Sequence, residues 1–85
     1  MNVAVIYGSD SSEWEVSVRS GEFTASQIDG TKYDVYEMFA RFGQWHLAAY
    51  RKKGQERVVI PAGERPEIDK SDFSVMIDGN KVKFG

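Results

Sequence analysis

The chain opens on Val3, Ala4, Val5, Ile6 and Tyr7, a run with no charged or strongly polar break. Continuous apolar runs of this length mark strands covered on both faces. Gly8-Ser9-Asp10-Ser11-Ser12 follows, a string of turn formers and helix-cap residues. Ser12 and Glu15 have the spacing of a capping box, and Asp10 and Glu13 repeat it two residues earlier. The pattern predicts a helix from about Ser12 to Ile28, ended by Asp29-Gly30 with Gly30 as a left-handed C-cap. Val16, Ser20 and Phe23 fall on one side of it, and small Ser20, Gly21 and Ala25 allow close approach to a sheet. Gly21 in mid-helix costs about 1 kcal/mol relative to Ala, so a packing reason is expected there.

Lys32 to Phe39 alternates and is rich in aromatic and β-branched residues, which predicts a second strand. Strand, helix and strand in this order make a βαβ unit. Gln44–Tyr50 and Gln55–Ile60 flank Arg51-Lys52-Lys53-Gly54 and read as a β-hairpin with a polar turn. Pro61 to Lys70 holds both prolines and reads as a surface loop. Ser71–Ile77 fits a strand or a helical turn equally well. Asp78-Gly79-Asn80 is a turn, and Lys81–Phe84 begins another strand-like run. The expected class is α/β. A parallel sheet needs cover on both faces, and the pattern offers one clear helix. The chain is therefore expected to belong to a larger protein or to bury apolar surface against a partner. It is not expected to be a self-sufficient enzyme.

Composition narrows the chemistry. Eighty-five residues make one small domain. Eleven basic and 13 acidic residues leave a net charge of -2, which argues against a nucleic-acid partner. Arg51-Lys52-Lys53 reads as a solvated turn, not a phosphate-binding face. There is no cysteine, so disulfides, thiolate catalysis and cysteine-bound metals are excluded. The N-terminal apolar run is too short for a signal-peptide core or a membrane span. A cytoplasmic protein without a membrane partner is the expectation. Aromatic residues are 13% of the chain, so rings should fill much of the core.

Few residues offer chemistry. A strand that hands a loop to a helix N-terminus is where open α/β sheets bind ligands. Glu13 stands there, able to receive an ammonium group or simply to stabilise the helix end. The Gly8–Ser12 loop matches neither G-x-G-x-x-G nor a P-loop, so it carries no nucleotide fingerprint. His46 has no second histidine to share a metal and reads as an edge residue. Trp14 and Trp45 could line a pocket or simply fill the core. Asp69, Asp72 and Asp78 lack calcium-loop order and read as turn and cap residues.

One resemblance sharpens this picture. Val3–Gly8 followed by Asp10-Ser11-Ser12-Glu13-Trp14-Glu15-Val16-Ser17-Val18-Arg19-Ser20-Gly21 resembles the N-terminus of D-alanine–D-alanine ligases. Those begin with an apolar strand, a Gly-Gly loop and a Ser-x-Glu-x-Glu-Val-Ser-Leu-x-Ser-Gly-type segment. Gln44-Trp45 and Lys70-Ser71-Asp72-Phe73-Ser74 are similar to the branch found in Bacteroidetes-like bacteria, with its extra β-hairpin. The resemblance implies a truncated pre-ATP-grasp, Rossmann-like three-layer domain over residues 1–85, with a βαβ unit and an inserted hairpin. It implies that the whole enzyme joins two D-alanines for peptidoglycan with ATP and Mg²⁺, through an acyl phosphate. This chain would hold no cofactor and no catalytic or metal-binding residue, and would be inactive alone. Glu13 would hold the ammonium group of the first D-alanine, and Val16 would lie near its methyl group. Ser9 departs from the second loop glycine, and Trp14 stands where a smaller or basic residue is common. The ATP-grasp lobes would lie beyond Gly85. The alternative is a non-catalytic small α/β interaction module that self-associates; a homo-oligomer is expected on either reading.

Overall fold

The structure, a computed structural model, describes residues 2–8 and 14–84, and only the backbone of Trp14 and Glu15. Its elements are β1 (Asn2–Tyr7), α1 (Trp14–Ser26), β2 (Asp34–Arg41), β3 (Gln44–Arg51), β4 (Val58–Val59), β5 (Ser74–Ile77) and β6 (Asn80–Lys83). The first four strands form one mixed sheet in the order β1-β2-β3-β4, and β5 and β6 form a separate hairpin.

The βαβ unit is present. β1 runs parallel to β2, from Asn2 opposite Asp34 to Tyr7 opposite Phe39. Strand alternation then puts Val3, Val5, Tyr7, Val35, Glu37 and Phe39 on one face and Ala4, Ile6, Tyr36 and Met38 on the other. Helix α1 packs on the first face, against β1 and β2. Gly21 and Ala25 are its buried residues. A Cβ at Gly21 would run into the Tyr7 ring, which is the packing reason its mid-helix position called for. Ser20 does not join them. It shares the outward side of the helix with Val16 and Phe23, which are 58% and 67% exposed.

The helix stops at Ser26, two residues before the expected end. Gly30 is not a left-handed cap; it is absent from the positive-φ glycines. The end is capped from outside, where the Arg51 guanidinium donates to the Ile28 carbonyl at 2.7 Å. Gly30 is small because that guanidinium passes over it, about 3.0 Å from where a Cβ would stand. Asp29 organises the following turn. Its Oδ1 accepts from the Thr31 amide and hydroxyl at 2.9 and 2.6 Å, and its carbonyl accepts from the Lys32 and Tyr33 amides. β2 therefore starts at Asp34, not Lys32.

β3 pairs chiefly with β2, through the tight turn Phe42-Gly43. Both turn residues have positive φ (53° and 75°), as a twisted two-residue hairpin requires. The hairpin expected around Arg51–Gly54 exists only as two pairs, Ala49 with Val59 and Tyr50 with Val58.

The expectation of a sheet short of cover is corrected by the C-terminal residues. β5 and β6 join through Asp78-Gly79, both at positive φ, and lie over the second face. Tyr36, Met38, Leu47, Ile68 and Val75 form the buried cluster there, with Phe73, Ile77, Val82 and Phe84 packed against it. Ile68 corrects the surface-loop reading of Pro61–Lys70. It is 2% exposed, and its amide donates to the Trp45 carbonyl at 2.7 Å, beside a Leu47 amide bond to the Pro66 carbonyl at 2.9 Å. The architecture is α/β in three layers: helix, mixed sheet, hairpin. Only β1 and β2 are parallel.

Candidate functional site

The carboxyl ends of β1 and β2 build the first candidate. Gly8 closes β1 with a φ of 119°, and a Cβ there would strike the Ala40 carbonyl oxygen of β2. Only glycine fits. The Gly8 amide donates to Ser17 Oγ at 2.9 Å, and the same hydroxyl donates to the Gly8 carbonyl at 3.2 Å. One serine in the first turns of α1 thus fastens the strand end to the helix. The junction of Gly8 and Ser17 stands at the end of a parallel strand pair, where α/β sheets take ligands.

Glu13 lies outside the described residues, with Ser9 to Ser12. The expected capping box also lies there, since Ser12 and the Glu15 side chain are outside the described residues. Val16 is described. It stands in the first turn of α1 on the exposed outer side, with its methyl groups open to solvent.

The structure assembles a second cluster that sequence reasoning missed. Glu37 sits in mid-β2 on the helix side and is only 2% exposed. Arg57, arriving just before β4, clamps both of its oxygens, with Nε to Oε2 at 2.7 Å and Nη2 to Oε1 at 2.8 Å. Arg57 Nη2 also reaches Glu22 on α1 at 3.3 Å. The Tyr7 hydroxyl donates to Glu37 Oε1 at 3.5 Å, a long contact. Burial, with Glu37 and Glu22 nearby, pushes the Tyr7 hydroxyl up to about 12. The Glu37 hydrogen bond drives the Arg57 pKa further upward. A hollow of about 300 Å³ opens beside the cluster, walled by Tyr7, Val18, Glu22, Phe39, Arg57 and Arg65 among others. Arg65 lies 5.9 Å over the Phe39 ring and donates to the Ile60 carbonyl. With both oxygens held by a guanidinium, Glu37 is a neutralised structural anion and not a free base. The signal was in the sequence: Glu37 falls in phase with Val35 and Phe39, on the face that must be buried.

The remaining candidates resolve into structure. Arg51 caps the helix, the Lys52 ammonium donates to the Tyr36 hydroxyl at 3.0 Å, and the Lys53 amide donates to Asp34 at 2.6 Å. Trp45 packs edge-on against Phe73, ring centres 6.3 Å apart. His46 is half-buried in β3, opposite Glu67. Asp69 accepts from the Ser71 amide and hydroxyl, and Asp72 pairs with Lys81 and Ser74; these contacts lower both carboxyl pKa values. Among the described residues no three His, Asp or Glu side chains converge as metal ligands. No described helix is long and apolar enough to cross a membrane.

The fold is α/β, a mixed four-strand sheet with one helix, and its strand–glycine–helix junction stands at the end of β1. No family model matches the chain, and no solved structure matches it. Named relatives do. The D-alanine–D-alanine ligase of Phocaeicola vulgatus is 35% identical over 82 residues, covering 96% of this chain and 22% of the relative. That of Parabacteroides distasonis is 35% identical over 78 residues, covering 92% and 20%. That of Flavobacterium psychrophilum is 33% identical over 84 residues, covering 99% and 22%. The chain belongs to the D-alanine–D-alanine ligase family, as its N-terminal portion. It spans about a fifth of the length of these relatives.

Proposed function

We propose that the chain forms the N-terminal, substrate-side part of a D-alanine–D-alanine ligase, a Rossmann-like domain of the pre-ATP-grasp type. Glu13 receives the ammonium group of the first D-alanine, and Val16 stands near its methyl group. The observation that carries this reading is the Gly8–Ser17 pair of hydrogen bonds. It ties Gly8, at the end of β1, to Ser17 in α1, the two described positions between which Glu13 falls in the sequence. A carboxylate held in place at a binding site selects and orients an amine. The whole enzyme acts in the cytoplasm and makes the dipeptide for the cell wall. ATP and Mg²⁺ supply the activated carboxyl group there. This portion by itself is catalytically silent.

The test is a chimaera in which residues 1–85 replace the matching segment of the Phocaeicola vulgatus ligase. Dipeptide formation is expected to persist. Glu13→Gln is then expected to raise KM for the first D-alanine about tenfold or more, the loss of a charge-assisted bond of about 1.5–3 kcal/mol. A folded but inactive chimaera, or an unchanged KM, refutes the reading.

A further inference from the structure

We propose that the hollow between α1 and the ends of β1 and β2 binds a small carboxylate with an apolar body, its carboxylate taken by the Tyr7 hydroxyl and the Arg65 guanidinium. Tyr7 and Phe39 are the last pair of the two parallel strands, at the end where α/β sheets take ligands. Both line the hollow of about 300 Å³, and Val18 on α1, Ala48 on β3 and Val59 on β4 complete its apolar wall. Every wall residue falls within residues 7–65, so the hollow is shaped by this chain's own packing.

Two polar groups there have capacity to spare. Tyr7 is 7% exposed, and among the described residues its hydroxyl finds only the 3.5 Å contact to a Glu37 oxygen that Arg57 already holds at 2.8 Å. A buried donor served so weakly favours a closer acceptor. Arg65 gives its Nε to the Ile60 carbonyl at 3.1 Å and lies over the Phe39 ring, but among the described residues no carboxylate pairs with it. Arg57, by contrast, is occupied by Glu37 and Glu22. Burial and Glu37 raise the Tyr7 pKa while Arg57 and Arg65 oppose them, so the hydroxyl stays a donor at neutral pH with both guanidiniums acting on it. One neutral donor and one guanidinium fork suit a carboxylate. A bare phosphate would need more donors and would lay hydrated oxygens against Val18, Phe39 and Val59. This site is independent of the ligase reading, which turns on Glu13.

Calorimetric titration of the 85-residue chain with benzoate tests it, beside benzamide as a neutral isostere and inorganic phosphate as an anion without a body. Saturable benzoate binding is expected, with benzamide and phosphate each weaker by about tenfold or more. Arg65→Gln is expected to weaken benzoate about tenfold or more, and Tyr7→Phe about threefold or more. Lys53→Gln, which removes a charge at the Asp34 turn, is expected to leave it unchanged. No saturable binding, benzamide or phosphate as tight as benzoate, or an affinity untouched by Arg65→Gln overturns the proposal. The chimaera is expected to bind benzoate with the same affinity and the same loss in Arg65→Gln. Loss of binding there would mean that another part of the ligase fills the hollow, and it overturns the proposal too. An inactive chimaera that still binds benzoate in this way supports the site and refutes the ligase reading alone. Should Tyr7→Phe fail to fold, Arg65→Gln decides.

Discussion

Tyr7 joins the helix, the sheet and the ion pair between them. Its ring rests on Gly21 and meets Phe39 edge-on at 6.4 Å, while its hydroxyl faces the Glu37–Arg57 pair. Glu37 explains why that pair matters. A buried carboxylate is costly alone, and removing its guanidinium would leave an uncompensated charge between sheet and helix. The sequence shows an acidic residue in the wrong phase of a strand, but not its partner. Arg57 comes from 20 residues away and only the fold brings it there. Local polar chemistry was more legible. Asp29-Gly-Thr31 and Asp69-Lys-Ser71 both close on themselves with the same two bonds, of 2.9 and 2.6 Å, as Asp-x-Thr/Ser predicts. The hydroxyl of Tyr7 supplies a pH test. Its pKa is raised from 10.0 to about 12 in the fold, so the folded state keeps a proton that the unfolded chain releases. Its contribution to stability is fully present below pH 10 and is lost as pH climbs through about 12. Denaturant titrations of Tyr7→Phe are expected to show a flatter fall of stability over that window. Its tyrosinate absorbance should also lack the highest-pH step; if the step persists, another tyrosine carries it.

At the level of elements, patterning and turn chemistry were read with different success. The apolar run of β1, the helix and β2 follow from hydrophobic period, and their parallel pairing follows from order. The β2–β3 hairpin escaped because its turn is Phe42-Gly43. A phenylalanine at positive φ carries none of the Asn-Gly or Asp-Gly signal that marked Asp78-Gly79. The end of α1 escaped because its cap is a side chain from β3. Helix α1 itself shows how a local rule yields to packing. Gly21 is unfavourable by propensity, yet a methyl group there would strike the Tyr7 ring. Gly21→Ala gains about 1 kcal/mol of helix propensity and meets an overpacking cost of about 1–3 kcal/mol. The ring is wedged between helix and β2, so the cost is expected to win by about 1–2 kcal/mol. Ser20→Ala, one residue earlier on the exposed side, is expected to be neutral or slightly stabilising. Urea unfolding of both variants separates the effects, and a Gly21→Ala protein as stable as its parent would show that the ring moves freely.

The whole molecule is held by one sheet used on both faces. The helix face is small and charged at its centre, with Ala25, Val35, Ala49 and the Glu37–Arg57 pair. The hairpin face is larger and aromatic, with Tyr36, Phe73 and Phe84 in edge-on contact at 4.8 and 5.5 Å. This second layer was the least legible feature, because strand-like runs near Ser71 and Lys81 say nothing about which surface they cover. Its consequence is cooperativity. Met38 and Leu47 are 0% exposed only because the hairpin and the Ile68 segment close over β2 and β3, and those strands also carry the helix side. Loss of either layer therefore strips the shared sheet. Ile68→Ala is expected to cost about 2–4 kcal/mol, the range for truncating a buried aliphatic side chain. The loss should appear equally in both layers. In a Trp14→Phe background, Trp45, packed on Phe73, reports the hairpin side by fluorescence, and far-ultraviolet circular dichroism reports the helix. The two midpoints are expected to fall together in Ile68→Ala. A fluorescence midpoint that falls while the helical signal keeps its own would mean that helix and hairpin fold as separate units, and the shared-sheet account would fail.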